Sequence, residues 1–216
     1  MPSIRTHIDE ETQLAADIRR HDLFSAVVGL AFVLLTIQVR AEPVLDAKCT
    51  GEPDVPWSEQ IAGCTKAIES GKYAGKDLAR ALIFRGKAYG QTGDIDRCLA
   101  DIEEAIRLDP TNVFAVGARG DVYLVKKDYE RALADYTTAA SLDPNNALVF
   151  IGRGIVYIAT GDIDRAMADF EQAIRLQPAL AAGLYWRGIA KRLKGDAAAG
   201  EADIAAAKKI DPEVDQ

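Results

Sequence analysis

One spacing constrains this chain more than any other feature. The pair Arg-Gly occurs at Arg85-Gly86, Arg119-Gly120, Arg153-Gly154 and Arg187-Gly188, and a proline occurs at Pro110, Pro144, Pro178 and Pro212. Both series advance by 34 residues at each step. A period of this size belongs to stacked supersecondary units. Each unit is too small to bury its apolar face alone and buries it against its neighbours.

Each period reads as helix, tight turn, helix and short turn. In the first, Leu82 and Tyr89 mark an apolar face at helical spacing, and Gly93 and Asp94 interrupt it. Asp94 is placed to cap the helix that follows, its carboxylate accepting from backbone N–H groups that have no partner inside the helix. Asp128, Asp162 and Asp196 hold the same place in the later periods. The second helices carry apolar residues at fixed offsets: Cys98, Ile102 and Ala105; Ala132, Tyr136 and Ala139; Ala166, Phe170 and Ala173; Gly200, Ile204 and Ala207. Small residues at the first and third places permit close approach of two helices, and the larger middle residue fills the space between them. The proline then forbids further helix.

This constellation resembles the tetratricopeptide repeat, in its bacterial exported type. The family pattern has Gly, Tyr, Ala, an aromatic, Ala and Pro in order, and the Gly is met by Gly86, Gly120, Gly154 and Gly188. The Tyr is met by Tyr89, Tyr123 and Tyr157 and replaced by Lys191 in the last period; the common tryptophan of the first helix is replaced by Leu82, Val116, Phe150 and Leu184. The resemblance implies an all-α fold, a right-handed α-solenoid with repeats at 79–112, 113–146, 147–180 and 181–214, preceded by a degenerate half repeat in a cap segment at 42–78.

The residue before each glycine, often Leu in the family, is Arg85, Arg119, Arg153 and Arg187, and the facing place on the second helix is Asp101, Asp135, Asp169 and Asp203. We expect an Arg–Asp pair inside each repeat, specifying register rather than forming an active site. Cys98, at a small packing position, is expected to be a buried inert thiol.

In the cap segment, Trp57 to Ser70 reads as a helix, with Pro56 suited to its first turn and Gly71 to its stop. The step from Ala67 to Ala105 is four residues longer than the period, which puts an insertion at about Lys72–Lys76. Cys49 and Cys64 lie fifteen positions apart and are expected to form a disulfide if the chain is exported.

Residues 1–41 read as a targeting segment. A polar stretch precedes an apolar run from Leu23 to Val39, and Val39-Arg40-Ala41 is an acceptable cleavage site. The expectation is a signal peptide cleaved near Ala41 and a periplasmic or secreted protein. The alternative is a single-pass membrane anchor, with membrane contact only if 23–39 stay uncleaved. The long polar start also admits a true start codon downstream of Met1.

Charge and composition narrow the remaining classes. A net charge of −7 without a Lys/Arg-rich block disfavours nucleic acid, whose binding rests on phosphate neutralisation. The histidines are His7 and His21, so the repeats lack the residue most used for proton transfer near neutral pH. No catalytic residue, metal site or cofactor is expected, and no enzymatic activity.

The resemblance implies a concave face lined by the first helices, binding a protein or peptide. Carried over residue by residue, it gives Phe114, Asp121 and Leu124; Leu148, Ile151, Ile155 and Ile158; and Tyr185, Ile189 and Arg192. Contiguous exposed apolar surface there would mark a partner site. The expected function is a protein–protein interaction scaffold outside the cytoplasm; the alternative is a membrane-anchored assembly factor or co-chaperone presenting the same groove.

Overall fold

A computed structural model describes residues 48–49 and 55–215. Among these residues every regular element is an α-helix. The apolar run at 23–39 and the cleavage site near Ala41 lie outside the described residues. The helices fall into two compact units, one ending at Pro144 and the other beginning at Asn145.

The first unit holds five of the described helices: α1 (Trp57–Glu69), α2 (Gly75–Gln91), α3 (Ile95–Leu108), α4 (Val113–Val125) and α5 (Tyr129–Leu142). Each helix packs on the next. Pro56 is the residue before α1 rather than its first helical residue, and Gly71 follows its end at φ +66°, a conformation that favours glycine. The four inserted residues fall partly in helix rather than in a loop. With Gly75 at its start, α2 runs for 17 residues, against 13 for α4.

The core of this unit gathers Leu82, Ile83 and Tyr89 from α2, Cys98, Ile102 and Ala105 from α3, and Ala115 and Val122 from α4. Ile102 is the middle residue of its trio and is 1% exposed, as expected of a side chain filling the gap between two helices. Burying it contributes about 2–3 kcal/mol. A smaller cluster gathers Cys49, Cys64, Ala81 and Phe84. The two cysteines form a disulfide with a Cα–Cα separation of 4.7 Å, tying Cys49 to α1. Closing a loop of this length stabilises by about 3 kcal/mol in the chain-entropy model.

The second unit holds α6 (Ala147–Thr160), α7 (Ile163–Leu176), α8 (Ala181–Leu193) and α9 (Ala197–Ile210). Again each helix packs on its successor, and α6 also touches α8. Phe170 of α7 stacks on Trp186 of α8 at 6.5 Å between ring centroids, and Tyr185 meets the same indole edge-on. Trp186 is 3% exposed, so it belongs to the packing between repeats.

Candidate interaction surface

The charged residues that recur every 34 positions are committed inside the repeats. Arg85, Arg119, Arg153 and Arg187 each donate two hydrogen bonds, from Nε and Nη2, to both carboxylate oxygens of Asp101, Asp135, Asp169 and Asp203, at 2.7–2.9 Å. This is the planar fork geometry that makes arginine the better partner for a carboxylate. The aspartates are buried, 6–9% exposed, so each guanidinium compensates a charge that would otherwise be costly. The bond to Asp101 raises Arg85 above its ordinary range against the opposing effect of burial.

The cap aspartates also hold. Asp94, Asp128, Asp162 and Asp196 accept from the backbone N–H of Arg97, Arg131, Arg165 and Ala199 at 3.1–3.2 Å. In three of the four the capping carboxylate does more. Arg97, Arg131 and Arg165 donate from Nε to the same aspartates at 2.6 Å. Their guanidinium carbons lie 4.5, 4.4 and 4.7 Å from the ring centroids of Tyr89, Tyr123 and Tyr157. The Tyr–Arg–Asp cluster welds the end of the first helix to the start of the second. Reasoning from the sequence missed it, although the signal was there: an arginine three places after each of the first three caps, absent where Lys191 replaces tyrosine.

The first-helix positions expected to line a groove are less open than the pattern suggested. In the first unit, Asp121 and Leu124 are each 5% exposed, and Phe114 is half-buried. In the second, Leu148, Ile151, Ile155, Ile158 and Ile189 are buried, Ile151 and Ile155 completely, whereas Tyr185 and Arg192 keep part of their surface. The exposed apolar stripe therefore does not exist as such. The physical reason is readable in α6, which is apolar nearly all round, and a helix of that kind is buried rather than amphipathic.

Two buried charged residues on first helices have separate partners. Lys87 stands over the Trp57 ring at 5.5 Å, and burial lowers its pKa. Asp121 accepts from the Tyr136 hydroxyl through Oδ1. The Cys98 thiol is buried, and burial pushes it up to about 12, as expected of an inert packing cysteine.

Residues 79–112 and 147–180 match the family model described as tetratricopeptide repeat, and residues 120–161 match a second described as TPR repeat. The chain contains tetratricopeptide repeats. No curated protein matches it significantly. Among solved structures, a crystal structure of MamA superposes with a TM-score of 0.63 at 18% identity, covering 78% of this chain and 96% of that one. TTC0263, a thermophilic TPR protein of Thermus thermophilus, gives 0.63 at 18% identity over 73% of this chain and 84% of that one. MamA from Desulfovibrio magneticus RS-1 gives 0.60 at 19% identity, covering 74% and 88%. At these identities the likeness establishes the fold, an all-α solenoid of TPR repeats. No helix among the described residues is long and apolar enough to cross a membrane.

Proposed function

We propose that this TPR protein is a non-enzymatic interaction scaffold that holds a peptide or partner protein against the inner face of its first helices, outside the cytoplasm. One observation carries the reading. What recurs from repeat to repeat is bound up in Arg–Asp pairs and Asp caps, so it holds the fold and is not available to a ligand. What varies is the first-helix series, from Phe114 through Leu148 and Ile155 to Arg192. Within it, Phe114, Tyr185 and Arg192 retain exposed surface, and aromatic and arginine anchors dominate the energetics of interfaces. Arg192 is engaged by the exposed Glu201 at 3.2 Å. Such a surface pair is worth little and can be exchanged for a partner's carboxylate.

The Cys49–Cys64 disulfide supports an oxidising compartment, and with it a signal peptide cleaved near Ala41. Sequencing the N-terminus of the purified native protein tests this. A start at Glu42 agrees with export, while a chain keeping 23–39 in a detergent-only fraction makes it membrane-anchored. Neither Cys49 nor Cys64 should react with a thiol reagent before reduction.

Binding is tested by capture from the native compartment, comparing wild type with Tyr185→Ala and Arg192→Glu and with Glu130→Ala as an exposed second-helix control. Circular dichroism should show all three folded. Loss of capture at 185 and 192 but not at 130 is expected; the reverse pattern would remove the inner face from consideration. Ile155→Glu is not a useful probe of binding, because a charge at a fully buried position unfolds the repeat first.

A further inference from the structure

The second repeat contains a buried carboxyl that the scaffold does not neutralise. Asp121 lies on α4 and is 5% exposed. One oxygen accepts from Tyr136 of α5, itself fully buried, and the other accepts no hydrogen bond. At the same place on the other first helices stand Lys87, Ile155 and Ile189. Among the described residues no cation answers Asp121. From α5 come Tyr136 and Asp135, the latter held by Arg119 of α4 itself. From α3 comes the Cys98 thiol, which feels the Asp121 charge, while Glu103 accepts from Tyr123 at 3.3 Å. Lys87 of α2 is turned to Trp57. A carboxylate in this setting has lost its hydration and gained a single hydrogen bond.

We propose that Asp121 and Tyr136 form a proton-sensitive element in the second repeat, in which the folded chain takes up a proton at Asp121 and is weakened when that carboxyl ionises. Burial pushes Asp121 from its ordinary 3.8 up to about 7, against the opposing effect of the Tyr136 hydrogen bond. The sign follows from linkage. A carboxyl whose folded pKa is raised contributes its full stability below the unfolded pKa and loses it as pH rises through the folded pKa. Between about pH 5.5 and about pH 8 the folded-to-unfolded ratio should fall by about thirtyfold from this group alone. Cys98 and Tyr136 stay neutral across that window, since burial raises both.

The test is urea unfolding of the full chain, followed by circular dichroism at about pH 5.5 and about pH 8. Each variant is read against wild type rather than alone, so that other groups titrating in the same interval cancel. Asp121→Asn should remove the thirtyfold loss, leaving a chain less sensitive to pH than wild type. Tyr136→Phe removes the hydroxyl that favours the charged form and should make the loss steeper than in wild type. It also serves if Asp121→Asn does not fold. Equal pH dependence in wild type and in either folded variant overturns the proposal.

Discussion

The second and fourth repeats are built on the same template and treat charge in opposite ways. In the second, Asp121 is a buried carboxyl with one hydrogen bond and no cation among the described residues. In the fourth, Asp203 is a buried carboxyl with two cations: Arg187 through the pair common to all repeats, and Lys191 at 2.8 Å. Lys191 stands where the other repeats have tyrosine, and Ala199 stands where they have the arginine that stacks on it. The fourth repeat has lost the Tyr–Arg–Asp weld and directs its lysine inward to the ladder aspartate instead. Burial pushes Asp203 up, but the hydrogen bonds from Arg187 and Lys191 outweigh it, so the carboxyl ends below its ordinary range. Asp121 ends above its own. Burial opposes ionisation at both, more completely at Asp121; at Asp203 two cations outweigh it, and at Asp121 a single neutral hydrogen bond does not.

The largest expected difference lies in the ladder. Arg119→Ala leaves Asp135 buried without a counter-charge and should cost about 3 kcal/mol in urea unfolding. Arg187→Ala should cost roughly half as much, because Lys191 still faces Asp203. Adding Lys191→Ala should bring the second loss up to the first. Equal costs for the two single variants would show that Lys191 does not compensate.

Glycine substitutions sharpen the contrast next. A β-carbon at Gly188 would lie 2.7 Å from the carbonyl oxygen of Gly200, a backbone atom that cannot turn aside, whereas at Gly120 it would meet the Tyr136 ring at 3.2 Å. Gly200 stands where the other repeats have alanine or cysteine, and its carbonyl oxygen is the atom nearest to the place of a β-carbon at Gly188. Gly188→Ala should therefore destabilise by about 2–3 kcal/mol and Gly120→Ala by about 1 kcal/mol, measured as shifts in unfolding midpoint. A reversed order would mean that the Tyr136 ring is the more rigid neighbour.

The smallest effect is at the caps. Asp196→Ala removes only a hydrogen bond to Ala199 and should cost about 1 kcal/mol. Asp128→Ala also releases Arg131 from its place over Tyr123, so its loss should be the larger of the two. Thermal unfolding of the two variants side by side checks the ranking.

Much of this was legible from the residues. Repeated Arg and Asp at constant offsets announce a pair, because two oppositely charged series in phase on facing helices have few other reasons to recur. The caps were equally plain, since Asp94 and its counterparts follow a break and precede a helix. Cys49 and Cys64 could be paired from compartment and composition. What the sequence did not show was exposure. Ile151 and Ile155 occupy positions that face inward on a first helix, yet whether such a side chain meets solvent depends on what covers the helix, which periodicity does not record. The Asp121–Tyr136 contact was hidden for a related reason. The tyrosine fills an aromatic place in the repeat pattern, so its hydroxyl and its partner drew no notice.

Carboxyl carbon NMR on one uniformly labelled sample tests the contrast between the two repeats most directly, by following Asp121 and Asp203 through the same pH titration. Asp121 should change near pH 7 and Asp203 below the ordinary 3.8. Both aspartates titrating together in the ordinary carboxyl range would contradict the account.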